Sequence, residues 1–170
     1  MPAGLTYEPI ATNTLSTATK SVTFSSITGT YTDLVLIING KTTGNDDFIN
    51  LRFNSDTGSN YSVTRLYGNG TTTGSGRSSN QSRIFVGYDA AINTTYQWNG
   101  ILNFMNYSNS TTYKTVLFRD NSPSGTGYPG TAANVGLWRN TNAITAIEVE
   151  ANTYNFDTGS TFTLYGIKSA

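Results

Sequence analysis

The chain has 170 residues, with ten basic and ten acidic side chains, a formal net charge of zero, and neither cysteine nor histidine. Charged residues make up only 12%, whereas Thr, Asn and Ser together supply 65 of the 170 positions. Such a surface lacks the clustered Lys and Arg that displace counterions from nucleic acid or hold an anionic membrane. A chain without cysteine makes no disulfide, and one without histidine makes no Ser-His-Asp or Cys-His nucleophile and few zinc sites.

In chain order, Met1-Pro2-Ala3-Gly4-Leu5 has no basic region followed by an apolar core, so no secretory leader is expected. Alternation is weak through Leu15, and residues 1–15 are read as an N-terminal arm able to pair with a neighbouring subunit. Apolar and polar residues then alternate with the two-residue period of strands. This pattern predicts strands at about 20–27, 32–39, 48–54, 61–67, 82–88, 99–107, 113–119, 133–138, 143–150 and 161–167. Ile49, Leu51 and Phe53 face one way, with Asn50, Arg52 and Asn54 the other. Leu34 to Ile38 is apolar on both faces, as in a strand covered twice. The facing residues switch near Ala146-Ile147, which predicts a bulge or a crossing between sheets. Gly, Asn and Asp clusters such as Asn39-Gly40, Gly68-Asn69-Gly70 and Asn99-Gly100 punctuate the strands as turns.

Two longer segments read as loops: Gly70 to Ser82, which carries Arg77, and Asp120 to Ala132, which holds Pro123 and Pro129 around Tyr128. No window shows helical periodicity over three turns, and no apolar run reaches transmembrane length. The expectation is one domain over residues 1–170: an all-β, antiparallel two-sheet sandwich, jelly-roll-like, of about ten short strands with little or no helix.

Asp-Thr-Gly-Ser occurs twice, at Asp56–Ser59 and Asp157–Ser160. Asp-Thr-Gly also marks aspartic proteases, but there the aspartate follows a buried apolar strand. Here it follows Asn54-Ser55 and Asn155-Phe156, and a side-chain-capped turn is the better reading. Asp33 and Asn45-Asp46-Asp47 offer hard oxygens to calcium, yet their spacing matches no EF-hand and suits turns equally well. Lys20, Lys41, Lys114 and Lys168 are the lysines available to a Ser-Lys dyad, and none stands out. The chain is therefore expected to be no enzyme, with no catalytic, metal or cofactor residue assigned. Tyr88, Tyr96, Trp98 and Tyr128 fall near loop ends, where exposed rings would stack on sugars. Trp138, in an apolar strand, is expected in the core.

Several segments spread along the chain have a familiar look. They are Tyr7-Glu8-Pro9-Ile10-Ala11, Tyr31-Thr32-Asp33-Leu34-Val35-Leu36, the long run Leu51 to Ser62, Leu66 to Gly70, Met105-Asn106-Tyr107, Lys114 to Leu117, Gly136 to Arg139, and Gly159 to Ile167. In these the chain resembles a family of short virion proteins of tailed bacteriophages, frequent among those infecting cyanobacteria. The resemblance implies a non-enzymatic virion component, made in the host cytoplasm, on the capsid surface or the tail. The first expectation is a capsid decoration (cement) protein, self-associating as a homo-oligomer such as a trimer and bound to the major capsid protein. Its contacts would include Tyr7, Pro9, Arg77 and Tyr128. The alternative is a tail-fibre or tail-tip module that recognises host surface glycan through Tyr88, Tyr96, Trp98 and Tyr128.

Overall fold

A computed structural model describes residues 6–123 and 130–168; Tyr128 and Pro129 fall outside them. The described residues form twelve strands and no helix. They are β1 (Tyr7–Thr14), β2 (Ser21–Phe24), β3 (Asp33–Gly40), β4 (Ile49–Phe53), β5 (Tyr61–Gly68), β6 (Thr73–Gln81), β7 (Ile84–Val86), β8 (Trp98–Met105), β9 (Lys114–Ser122), β10 (Gly130–Trp138), β11 (Ile147–Ala151) and β12 (Thr161–Ile167). Eight pair in the order β1-β12-β3-β8-β9-β10-β5-β6, and four in the order β2-β11-β4-β7. Every pairing between named strands is antiparallel. The fold is the expected β-sandwich, with two strands more than the pattern predicts.

The two sheets meet where their apolar faces close on each other. Leu34, Leu36, Leu102, Phe104, Val116, Trp138 and Phe162 from the larger sheet, with Ile49, Leu51, Phe53, Ile147 and Val149 from the smaller, are almost wholly buried. Phe53 joins them: its ring is 5.8 Å from Phe104, edge to face, and 5.5 Å from Trp138. Tyr61 stacks on Trp138 at 6.2 Å and 15°. Trp138 belongs to the core, as its strand pattern predicts.

The first Asp-Thr-Gly caps this cluster. Asp56 Oδ1 accepts the Gly58 N–H at 2.8 Å, and Oδ2 accepts Asn60 Nδ2 at 2.9 Å and Trp138 Nε1 at 2.7 Å. Burial works to raise the Asp56 carboxyl, but these donors outweigh it and hold the group below its ordinary value. Asp157 caps its own turn by accepting the Thr158 N–H at 2.8 Å, next to Gly159 at φ +83°. Both motifs are turns with separate partners, and their carboxylates do not pair.

Four expectations are corrected. Residues 7–14 are not a free arm: β1 pairs with β12 of the same chain and forms one edge of the large sheet, with a bulge between Pro9 and Ala11. The Gly70–Ser82 segment is not a loop but mostly β6, the opposite edge, antiparallel to β5. In the second expected loop, Asp120 to Ser122 and Gly130 to Ala132 belong to strands β9 and β10, and residues 124–129 lie outside the described residues. Leu34–Ile38 is not covered twice, since the described residues form only two sheets; on the outer side Val35 is shielded beside its cross-strand neighbours Tyr165 and Asn103.

The face switch expected near Ala146 is neither a bulge nor a crossing: residues 143–146 are not strand, and they are held by the turn that follows β4. β11 begins at Ile147, and the residues before it are pinned by Asn54. Asn54 sits at φ 51°, where Asn is among the few tolerated side chains. Its Oδ1 accepts from Thr145 N at 2.9 Å, Thr145 Oγ1 at 3.2 Å and Ala146 N at 3.0 Å, while Nδ2 donates to Ala143 O at 2.8 Å. Asn54→Ala should lose all four contacts and strain the backbone, lowering stability in urea unfolding by about 2–4 kcal/mol. Asn54→Asp keeps the acceptor and should lose clearly less.

Candidate functional site

The larger sheet turns one face to the core and leaves the other uncovered by any described residue. Alternation puts Ile101, Asn103 and Met105 of β8, Leu117 and Arg119 of β9, Ala133 and Val135 of β10, and Thr64 and Leu66 of β5 on that outer face. Register makes them neighbours. Leu66 is opposite Ala133, Val135 opposite Leu117, Leu117 opposite Asn103, and Arg119 lies between Ala133 and Ile101. Leu66, Leu117, Met105 and Val135 are 60%, 51%, 49% and 43% exposed, so this is an open apolar band rather than a second core. A shallow groove of about 440 Å³ runs between Leu66, Leu117, Arg119 and Val135.

Three residues singled out from sequence lie on this same face. Arg77 is opposite Thr64 on edge strand β6 and is exposed. Tyr7 and Pro9 lie on the other edge, where Tyr7 meets Tyr165 edge to face at 6.4 Å. At ~4.8 Å per strand, the eight strands place these edges roughly 34 Å apart. From β8 to β6 the charged side chains of the face are Arg77 and Arg119 alone. Tyr128, the fourth, lies outside the described residues.

The aromatic quartet does not form a platform. Trp98 is fully buried, and its Nε1 donates to Ala90 O at 2.8 Å. Glycines make its room: a Cβ at Gly87 (φ +76°) would lie 3.3 Å from the indole, and one at Gly100 would collide with the ring. Trp98 is therefore removed from the glycan candidates. Tyr96 is exposed on a turn whose N–H groups at Thr95 and Tyr96 bond to Asn93 Oδ1 at 2.9 and 2.7 Å. Tyr88 lines a different feature, a cleft of about 430 Å³ with Asp46, Phe48, Tyr67 and Asp89. Its ring packs against Phe48 at 5.3 Å and Phe85 at 5.8 Å. The Arg65 guanidinium lies 4.4 Å from the Tyr88 ring centre.

Behind the cleft is a polar cluster that sequence reasoning missed. Arg65 Nε is 2.8 Å from Asp89 Oδ2, with both side chains about nine-tenths buried. Asp120, on the inner face of β9, is 4% exposed and accepts Asn134 Nδ2 at 3.0 Å. Burial, then the charge of Asp89, pushes the Asp120 carboxyl up to about 7, against a partial offset by Asn134. Burial also raises Asp89, with Arg65 opposing.

Of the oxygens proposed for calcium, those of Asp47, Asn45 and Asp33 are engaged, while Asp46 is exposed. Asp47 Oδ1 accepts the Phe48 and Thr153 N–H groups, each at 2.9 Å, and Oδ2 accepts that of Tyr154 at 2.9 Å. Asn45 Oδ1 accepts from Thr94, and Asp33 Oδ1 accepts the Asn106 N–H at 2.6 Å. The four lysines bond to carbonyls or carboxylates; buried Lys114, for instance, donates to Thr112 O at 2.7 Å and Thr141 O at 3.0 Å. None of these partners is a serine hydroxyl. No protein-family model matches the chain, and no curated protein matches it.

Asp120 gives a pH dependence with a definite sign. Its folded value of about 7 lies above the ordinary unfolded value, so between the two the folded state keeps a proton that the unfolded chain has released. The stability associated with that proton is complete below about pH 4 and is lost as pH rises through about 7. The melting temperature in EDTA-containing buffer should therefore fall between pH 5 and pH 8, and Asp120→Asn should flatten the profile.

Proposed function

We propose that this chain is a non-enzymatic bacteriophage virion protein, and specifically a capsid decoration protein that clamps the head by binding between major capsid subunits. The observation that carries the reading is the outer face of the eight-stranded sheet, with Leu66, Leu117, Met105 and Val135 exposed on four successive strands. An apolar band of this kind marks a surface made to be covered. The segments that resemble phage virion proteins supply the setting. Arg77 and Arg119, the charges on the band, would suit carboxylates at the rim of the partner. Binding would come from area repeated by symmetry, each contact modest and the whole multivalent.

The glycan reading rests on the cleft between Tyr67 and Tyr88, where aromatic walls meet the exposed Asp46. Under it, Tyr88→Ala would abolish binding to host polysaccharide, and a wild-type chain that binds none would reject it.

Quantitative mass spectrometry and electron microscopy of the parent virion test the main proposal. Several hundred copies spread over the head are expected. A handful on the tail would reject decoration, and absence from the particle would reject the virion assignment. Leu66→Glu with Leu117→Glu should leave the fold intact, because both side chains are exposed and they are not cross-strand partners, and should abolish binding to heads lacking the protein.

A further inference from the structure

A sheet edge carries unpaired backbone N–H and C=O groups, and natural proteins protect it. Three of the four edges of this sandwich are protected. In the smaller sheet the edge strands β2 and β7 have only four and three residues. In the larger sheet β1 carries Pro9 and a bulge between Pro9 and Ala11. Lys168 N–H donates to Thr6 O at 3.0 Å, so alternation turns Pro9 to the free side of β1, where it offers no donor.

The fourth edge, β6, has nine residues, no proline, and an unbroken register from Thr73 to Ser78. Two contacts fix its bonding direction. Asn69 N–H donates to Thr72 O at 3.1 Å in the β5–β6 turn, and Arg139 N–H donates to Asn60 O at 2.8 Å on the other side of β5. Alternation from either one makes Tyr67–Gly74, Arg65–Gly76 and Val63–Ser78 the bonded pairs. Thr73, Ser75 and Arg77 therefore direct their N–H and C=O groups away from β5, and no strand among the described residues lies there. The free stretch ends beyond Arg77, where Gln81 Nε2 donates to Ser79 O at 2.7 Å. On the inner side the Tyr67 ring lies over Gly74 and the Arg65 guanidinium over Gly76, so β6 has no side chain there to stop a strand approaching alongside.

We infer that β6 pairs antiparallel with β6 of a second copy of this chain, about a two-fold axis at Ser75. In that register Ser75 faces Ser75 of the second copy and Thr73 faces Arg77, which pairs every free N–H and C=O of Thr73, Ser75 and Arg77. The two Arg77 residues then lie about 14 Å apart, four residues along the ladder, so their charges do not oppose the contact. Shifting the register by two residues, so that Arg77 faces Ser75, would roughly halve that spacing. Residues directly opposite share a face, so the apolar bands of both copies lie on one side of a single continuous sheet. The inference is independent of the virion proposal, because it is read in solution without a particle.

Sedimentation equilibrium of the full chain tests it. An edge contact is small and of the weak class, so dimer is expected to build up between about 10 μM and about 1 mM. Ser75→Pro removes an N–H that lies outside the β5–β6 ladder; it should keep the wild-type fold and weaken dimerisation at least ten-fold. The chain has no cysteine, so single thiols report the geometry directly. Ser75→Cys places two Cα atoms about 5.5 Å apart, within disulfide reach, and should cross-link under mild oxidation. Arg77→Cys, whose thiols are far apart, and Thr12→Cys, on edge strand β1, should not. A wild-type chain that stays monomeric at about 1 mM would overturn the inference, as would a dimer undiminished in Ser75→Pro or equal cross-linking of all three thiols. A mixed disulfide between Ser75→Cys and Thr12→Cys chains, in place of the Ser75 pair, would reject it in favour of β6 meeting β1 of the next copy.

Discussion

The contact of Phe53 with Phe104, Trp138 and Tyr61 joins the two sheets, and much else in the sandwich is arranged around it. Aromatic rings bury large apolar area, but Tyr and Trp bring polar atoms that must find partners. Here the partners are one turn. Tyr61 OH accepts the Phe53 N–H at 3.1 Å and donates to Asp56 O at 3.1 Å, and Trp138 Nε1 donates to the Asp56 carboxylate. The turn closing β4 onto β5 is thereby part of the core, and the Asp-Thr-Gly motif in it caps the aromatic packing.

Sheet size follows from the same division of labour. The four-stranded sheet and the 87–97 connection cover the inner face of the larger one. Where strand β7 ends, the covering layer changes from Ile84 and Val86 to Asp89, and the inner face below it changes from Val116 and Phe118 to Asp120 and Ser122. The polar cluster therefore marks the end of the apolar core. Burial without enough donors is what raises the Asp120 carboxyl.

The outer face and the polar cluster share strands β9 and β10. Leu117, Arg119, Ala133 and Val135 look outward from the backbone whose inward residues are Phe118, Asp120, Ala132 and Asn134. Because strand residues alternate, the geometry of the apolar outer face is tied to the packing of the inner one. A weakly charged, Thr/Asn-rich surround gives that face little long-range field, which suits the proposed docking better than capture of a charged ligand.

Alternation and turn chemistry determined the fold class, ten of the twelve strands, the core position of Trp138 and the turn role of both Asp-Thr-Gly motifs, because these are local consequences of two-residue periodicity and backbone preference. Edge strands escaped that logic. β6, Thr-Gly-Ser-Gly-Arg-Ser-Ser-Asn-Gln, has no apolar face because it lies at the margin of the core, and only pairing with β5 makes it a strand. β1 is hidden in the same way by its bulge and its single partner. Tyr7, Pro9 and Arg77 were legible as exposed residues, but their sharing one face depends on the order of eight strands. Trp98 read as a surface ring because its burial needs Gly87, from the connection after β7, and the closing of the smaller sheet over it, as well as Gly100 on its own strand. The meeting of Arg65, Asp89, Asp120 and Asn134 was decided by tertiary structure alone: four polar residues from three strands and a connection become one cluster only when the sheets close and water is excluded.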